Sequence, residues 1–158
     1  MKIRLMQESD YPAVKEIYLA GVAGHNASYR FSLPDSYEEF IGGKIADLCL
    51  VSCDESGAVT GWASARPGWW PWTVENSLYV GEPGKGIGTA LLKALIEHCS
   101  NRELGAIHAL IFPENTASIH THTKAGFVEV GTLHKVVHMD EHWRDAYLME
   151  YVLESSLT

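Results

Sequence analysis

The sequence predicts an α+β fold built around one sheet. Strand-like runs outnumber segments with helical periodicity, and the helical segments fall between the strands rather than in one block. No repeat, low-complexity tract or linker divides the 158 residues. That length suits one domain spanning 1–158, with enough chain for one continuous core.

A strand over 2–6 leads into a helix in which Asp10 is the expected N-cap and Pro12 falls in the first turn. Val14, Ile17 and Tyr18 give that helix its apolar face. Ser36-Tyr37-Glu38-Glu39 has the spacing of a capping box and opens a second helix. Strands over 48–53 and 59–65 flank Asp54-Glu55-Ser56-Gly57, a hairpin turn. The aromatic loop Gly68-Trp69-Trp70-Pro71-Trp72 enters a strand over 74–80. After a glycine-rich turn, Ile87, Leu91, Ala94 and Leu95 recur at helical spacing. A strand over 106–112 and a short helix over 115–125, ended by Gly126, come next. Strands over 127–138 and 147–153 complete the order.

Composition narrows the function. Twenty acidic residues against twelve Lys and Arg give a formal net charge of −8, which argues against a general nucleic-acid or polyphosphate binder. No apolar run approaches the ~20 residues that span a bilayer, so no membrane partner is expected. The first residues, Met1 to Met6, meet Gln7, Glu8 and Asp10 at once, unlike a secretory leader. Cys49, Cys53 and Cys99 form no Cys-x-x-Cys motif, and reduced thiols in a cytoplasmic protein are expected.

The chemistry concentrates around Gly84-Lys85-Gly86-Ile87-Gly88-Thr89, between a strand and a helix. Glycines there permit a tight turn that brings backbone N–H groups to a ligand, and the helix start favours an anion. Lys85 and the Thr89 hydroxyl add donors. A P-loop is excluded because Lys85 precedes Gly86 and no Lys-Ser or Lys-Thr follows the turn. A dinucleotide fingerprint is excluded because Leu91 stands where its third glycine or alanine belongs.

Strand, G-x-G turn, helix and strand, then Asn115-x-x-Ser118-x-x-x-His122-x-x-x-Gly126-Phe127, resemble the acetyl-CoA core of the GNAT superfamily. Trp72-Thr73-Val74-Glu75-Asn76-Ser77-Leu78-Tyr79-Val80, Ala27-Ser28-Tyr29 and Trp143-x-Asp145 narrow this. They resemble its phosphinothricin and methionine-sulfone N-acetyltransferase branch. The resemblance implies a GNAT acyltransferase fold, a mixed central sheet with helices on both faces. It implies acetyl-CoA as co-substrate, an amino-acid-like amine as acceptor, no metal, and a homodimer. Pro83 departs from the superfamily, which usually has Gln or Arg at that place, and 81–84 is about two residues short. Weaker CoA affinity or an altered loop path is expected there.

Glu75 is the candidate general base for the amine, and alternation places Glu75, Ser77 and Tyr79 on one face of their strand. The resemblance implies that a bulge opens this strand, so that the backbone N–H groups of Leu78, Tyr79 and Val80 hold the pantetheine and polarise the thioester. It also implies cofactor contacts from Asn115 and Ser118. His122, where many members carry tyrosine, is the candidate acid for the departing thiolate, or a second base. Tyr29, Arg66, Trp72, Asn76 and Ser77 are the expected acceptor-binding residues, with Trp69, Trp70 and Trp143 nearby. His134, His138 and His142 are spaced by four, but Val136 and Val137 give that stretch strand character, which separates them as metal ligands. A non-catalytic CoA-binding or structural module is the alternative, as is acetylation of another small amine or a protein amino terminus.

Overall fold

The strand alternation is obeyed most strictly in the middle of the sheet, and it divides the interior in two. In the computed structural model, which describes residues 1–24 and 32–154, β1 (Lys2–Leu5), α1 (Tyr11–Val22), α2 (Tyr37–Gly42) and β2 (Leu50–Cys53) come first. β3 (Val59–Pro67), β4 (Thr73–Val80), α3 (Ile87–Ser100) and β5 (Ala106–Ile111) follow, then α4 (Thr116–Ala125), β6 (Val128–Met139) and β7 (His142–Val152). The described strands form one sheet in the order β1-β2-β3-β4-β5-β7-β6. Only β4 and β5 run parallel, so the sheet is mixed.

Opposite Tyr79 in register, Trp62 packs with Tyr18, Phe40, Val14 and Met6 on the α1–α2 side. The buried Trp62 indole N–H is satisfied by the Val14 carbonyl at 3.1 Å. Ala63, Ala65 and Val74 face the other way, against Leu91, Leu92 and Leu95 of α3 and Ile107 of β5. Gly61 lets α3 sit this close, because a Cβ there would come within 3.0 Å of the Ile87 side chain and 3.1 Å of Leu91. A Cβ on Gly88 would lie 2.9 Å from the Thr121 methyl of α4, so the two helices meet over a glycine.

Most expected elements are found, with three revisions. Ser36 caps α2, its hydroxyl accepting from the Glu39 N–H at 3.1 Å. Asp10 does not cap α1. It already has helical dihedrals, and its carboxylate instead takes both Arg4 amino groups at 2.7 and 2.8 Å and the Gln7 N–H at 2.8 Å. An ion pair with these three bonds outweighs one capping bond. The second strand begins at Leu50, since 46–48 turns as a 3₁₀ helix. The last strand begins at His142, five residues before the expected start. The hairpin joining it to β6 turns on Asp140 and Glu141, both with positive φ (50° and 65°). Such two-residue turns usually advertise themselves with Asn-Gly or Asp-Gly, and Asp-Glu does not.

Candidate active site

β4 and β5 pair only from Thr73 to Glu75, opposite Ala106 to His108. Beyond Glu75 the strands part: β4 stays with β3 as far as Val80, and β5 stays with β7 as far as Ile111. A fork opens in the middle of the sheet, and a cavity of about 970 Å³ occupies it. The expected bulge in β4 is not what opens it. The β3–β4 register runs unbroken from Pro67–Val74 to Gly61–Val80, and loss of the β5 neighbour does the work. The Gly81 N–H bonds the Thr60 carbonyl at 2.9 Å. Alternation then turns the Tyr79 backbone toward β3 and the Leu78 and Val80 N–H groups toward the fork. The Leu78 and Val80 amides therefore face the side on which the expected backbone role would be played. Tyr79 does not; it supplies a ring stacked on Trp62 at 4.8 Å.

At one end of the cavity lies the glycine turn. Gly84 (φ 83°) and Gly86 (φ 73°) are left-handed, and Gly86 caps α3. Gly84, Gly86, Ile87, Gly88 and Thr89 all line the cavity. Lys85 does not, and its ammonium is tied to Glu82 in an exposed ion pair. Asn115 and Ser118 line the cavity from α4, where the Asn115 side chain caps the helix by accepting the Ser118 N–H at 3.2 Å.

Glu75 lies on the opposite face of β4 from the α3–α4 side, 19% exposed, and both carboxylate oxygens meet Arg66 Nη2, at 3.1 and 3.0 Å. The two residues are register partners, so the ion pair is written into the strand pairing. Arg66, expected among the acceptor-binding residues, thus engages the candidate base itself. Ser77 and Asn76 also line the cavity. Trp72 does not. It is 61% exposed and borders a separate recess with Pro71 and Leu104. Trp69, rather than Trp70 or Trp143, lines the main cavity. Tyr29 lies outside the described residues.

His122 is 2% exposed and lies T-shaped to the Phe127 ring, with ring centres 5.0 Å apart. Its Nδ1–H donates to the Ser118 carbonyl at 2.8 Å, and its Nε2 lies 3.2 Å from the Asn76 amide nitrogen. Burial pushes its pKa down to about 4, only partly offset by the bond to Ser118. The imidazole is neutral across the physiological range, which departs from an acid titrating near its ordinary value. His134 and His138 stand on β6 and His142 on β7, so their spacing of four does not align them.

Two groups near the site escape sequence reading. His108, the β5 register partner of Glu75, stacks on Trp69 with ring centres 5.9 Å apart and bonds Glu150 of β7 at 2.7 Å through Nε2. Arg66, Glu75, His108 and Glu150 make a row of charged and titratable groups across four strands. Leu133 and Val136 enter the cavity wall through a break in the β6 register, where Lys135 has φ 53° and its N–H is held by Asp145 at 2.9 Å. Neither grouping has a local spacing, since each depends on strands distant in sequence.

A fork in a mixed sheet, with a helix-capping glycine turn at one end and a carboxylate on the rim, is the architecture of a thioester-dependent acyltransferase. Residues 12–127 match the Acetyltransferase (GNAT) family, and the chain belongs to it. The chain is 31% identical to phosphinothricin N-acetyltransferase of Alcaligenes faecalis, over 99% of this chain and 84% of that protein. Among solved structures, ribosomal-protein-alanine N-acetyltransferase from Brucella melitensis is 34% identical with a TM-score of 0.86, covering 97% of this chain and 100% of that one. A phosphinothricin acetyltransferase from Sinorhizobium meliloti in complex with AcCoA is 28% identical with a TM-score of 0.85, covering 99% and 91%.

Proposed function

We propose that this protein transfers the acetyl group of acetyl-CoA to the amine of an amino-acid-like small molecule. The observation that carries the reading is the continuity of one cavity from the α3 glycine turn, along the fork, to Glu75. The parts fit a CoA thioester. The first N–H groups of α3 and the Thr89 hydroxyl suit the pyrophosphate. The fork-facing N–H groups of Leu78 and Val80 suit the pantetheine amides and the thioester oxygen. When bound, acetyl-CoA supplies an acyl carbon activated by a thiol leaving group.

The chain's own residues then have separable duties. Glu75 takes the proton of the incoming ammonium so that a neutral amine attacks. Arg66 uses one nitrogen on Glu75, and its remaining donors are available for the carboxylate of an amino-acid acceptor. Trp69, stacked on His108, lines the cavity and would wall the acceptor side. The buried, unpaired cysteines Cys49, Cys53 and Cys99 support a reducing, cytoplasmic setting. Exposed Val128, Val130, Val136 and Trp143 on the β6–β7 hairpin support a homodimer.

A second reading is acetylation of a protein amino terminus, favoured by the net charge of −8, which would attract a basic peptide. A thiol-release assay with acetyl-CoA separates the two. Methionine sulfone and phosphinothricin are expected to release CoA, and a basic peptide beginning with alanine is not. Turnover of the peptide alone would reverse the assignment, and release with none of them would remove both.

A further inference from the structure

Counting donors and acceptors fixes the chain of contacts Ser118–His122–Asn76. The Ser118 group at 2.8 Å from His122 Nδ1 is a carbonyl oxygen, which only accepts, so Nδ1 carries the hydrogen. A neutral ring then has its lone pair on Nε2, and the Asn76 nitrogen 3.2 Å away is the donor that meets it. That contact settles which way the Asn76 amide faces. Its other end, Oδ1, is buried and has no hydrogen-bond partner among the described residues. Asn76 is itself 6% exposed and lines the cavity. It is also the first residue of β4 past the last β4–β5 pair, at the apex of the fork. Buried acceptors are nearly always satisfied, so this oxygen calls for a donor beyond the described residues.

We propose that His122 is a positioning residue: as the neutral Nδ1–H form it turns the Asn76 carbonyl oxygen to the apex of the fork, where that oxygen accepts an N–H of the pantetheine arm of acetyl-CoA. The proposal rests on the acetyl-CoA reading above. It gives His122 no proton to deliver. The Nδ1 hydrogen is held by Ser118, and Nε2 is an acceptor already engaged by Asn76. Around the ring stand Ser118, Asn76 and Phe127, none of them titratable, and among the described residues no charged group acts on it.

Two measurements on the full chain test this. In ¹⁵N spectra, the His122 signals (identified by their loss in His122→Phe) are expected to show the neutral Nδ1–H form unchanged between about pH 5.5 and 8.5. Titration within that range, or an Nε2–H form, overturns the proposal. Asn76→Asp replaces the donor by a second acceptor facing Nε2. It should therefore raise the His122 titration by roughly 1–3 pH units, and an unmoved titration overturns the relay. Binding of CoA itself, measured by calorimetry, is expected to weaken about tenfold in Asn76→Leu, the worth of one buried hydrogen bond. Equal affinity in wild type and Asn76→Leu overturns the acceptor role, as it would if only a water served that oxygen. Absence of CoA binding by the wild type would instead overturn the acetyl-CoA reading, and the spectra would still judge the relay. If Asn76→Leu does not fold, Asn76→Ala, which likewise removes the Oδ1 acceptor, takes its place in the binding measurement.

Discussion

Glu75 and Arg66 show how much a single register pairing decides. Their side chains meet because Arg66 is the β3 residue opposite Glu75, so the proposed base is held by a cation while also lining the cavity. Glu75→Gln keeps size and shape but cannot take a proton. It is expected to lower kcat by ~10²–10⁴ while leaving CoA binding intact, with the deficit shrinking at high pH where the amine is already neutral. Stopped-flow or steady-state thiol release measures this, and a near-wild-type rate at neutral pH would return the proton to another group. The alternation of 74–80 already announces that Glu75, Ser77 and Tyr79 share a face. That Arg66 and His108 flank Glu75 on neighbouring strands was not legible, because it requires the strand order and not the spacing within one strand.

At the scale of the element, the turn before α3 and the hairpin after β6 make opposite lessons. The glycines at 84, 86 and 88 are needed for left-handed dihedrals and for the close approach to α4, and such needs leave a plain mark in the sequence. The Asp140–Glu141 turn bends as tightly with residues that rarely adopt positive φ, so its hairpin left none. Gly86→Val forces a β-branched residue into φ 73°. It is expected to abolish the thermal shift given by CoA, which in the wild type reaches about 2.7 kcal/mol of stabilisation at a hundredfold excess over Kd. A shift of unchanged size would move the anion site elsewhere. Glu82 lines the cavity and occupies the Lys85 ammonium in their exposed ion pair. Glu82→Gln should therefore tighten CoA about two- to fivefold at low salt, the gain fading as salt screens it. Calorimetry at two ionic strengths reads both, and no change at low salt would show that Lys85 plays no part.

For the whole molecule, stability depends in part on a titratable group buried on the α3–α4 side of the sheet. His122 has a folded pKa of about 4 against an ordinary 6.5. The unfolded chain therefore binds more protons between those values, so this group's contribution is complete above about pH 6.5 and is lost as pH falls toward 4. The loss is about 3 kcal/mol at most. Denaturant melts should show it, and His122→Phe should flatten that part of the profile. A slope surviving the substitution would assign the acid sensitivity elsewhere. The proposed dimer belongs to the same scale: light scattering at micromolar concentration should give twice the chain mass, and Val130→Lys on the β6 edge should halve it.

The fork also bears on how long the molecule lasts. Past Glu75 the facing edges of β4 and β5 have lost each other, so beyond that point a ligand in the fork would bridge the two edges. Amide hydrogens at Leu78 and Val80 should exchange quickly in the empty protein and slowly once CoA is present. An acyl donor that finishes the sheet also holds its two halves together. The lifetime of the protein against proteases would then follow the supply of activated acetyl groups, and a starved cell would clear the enzyme sooner than a fed one.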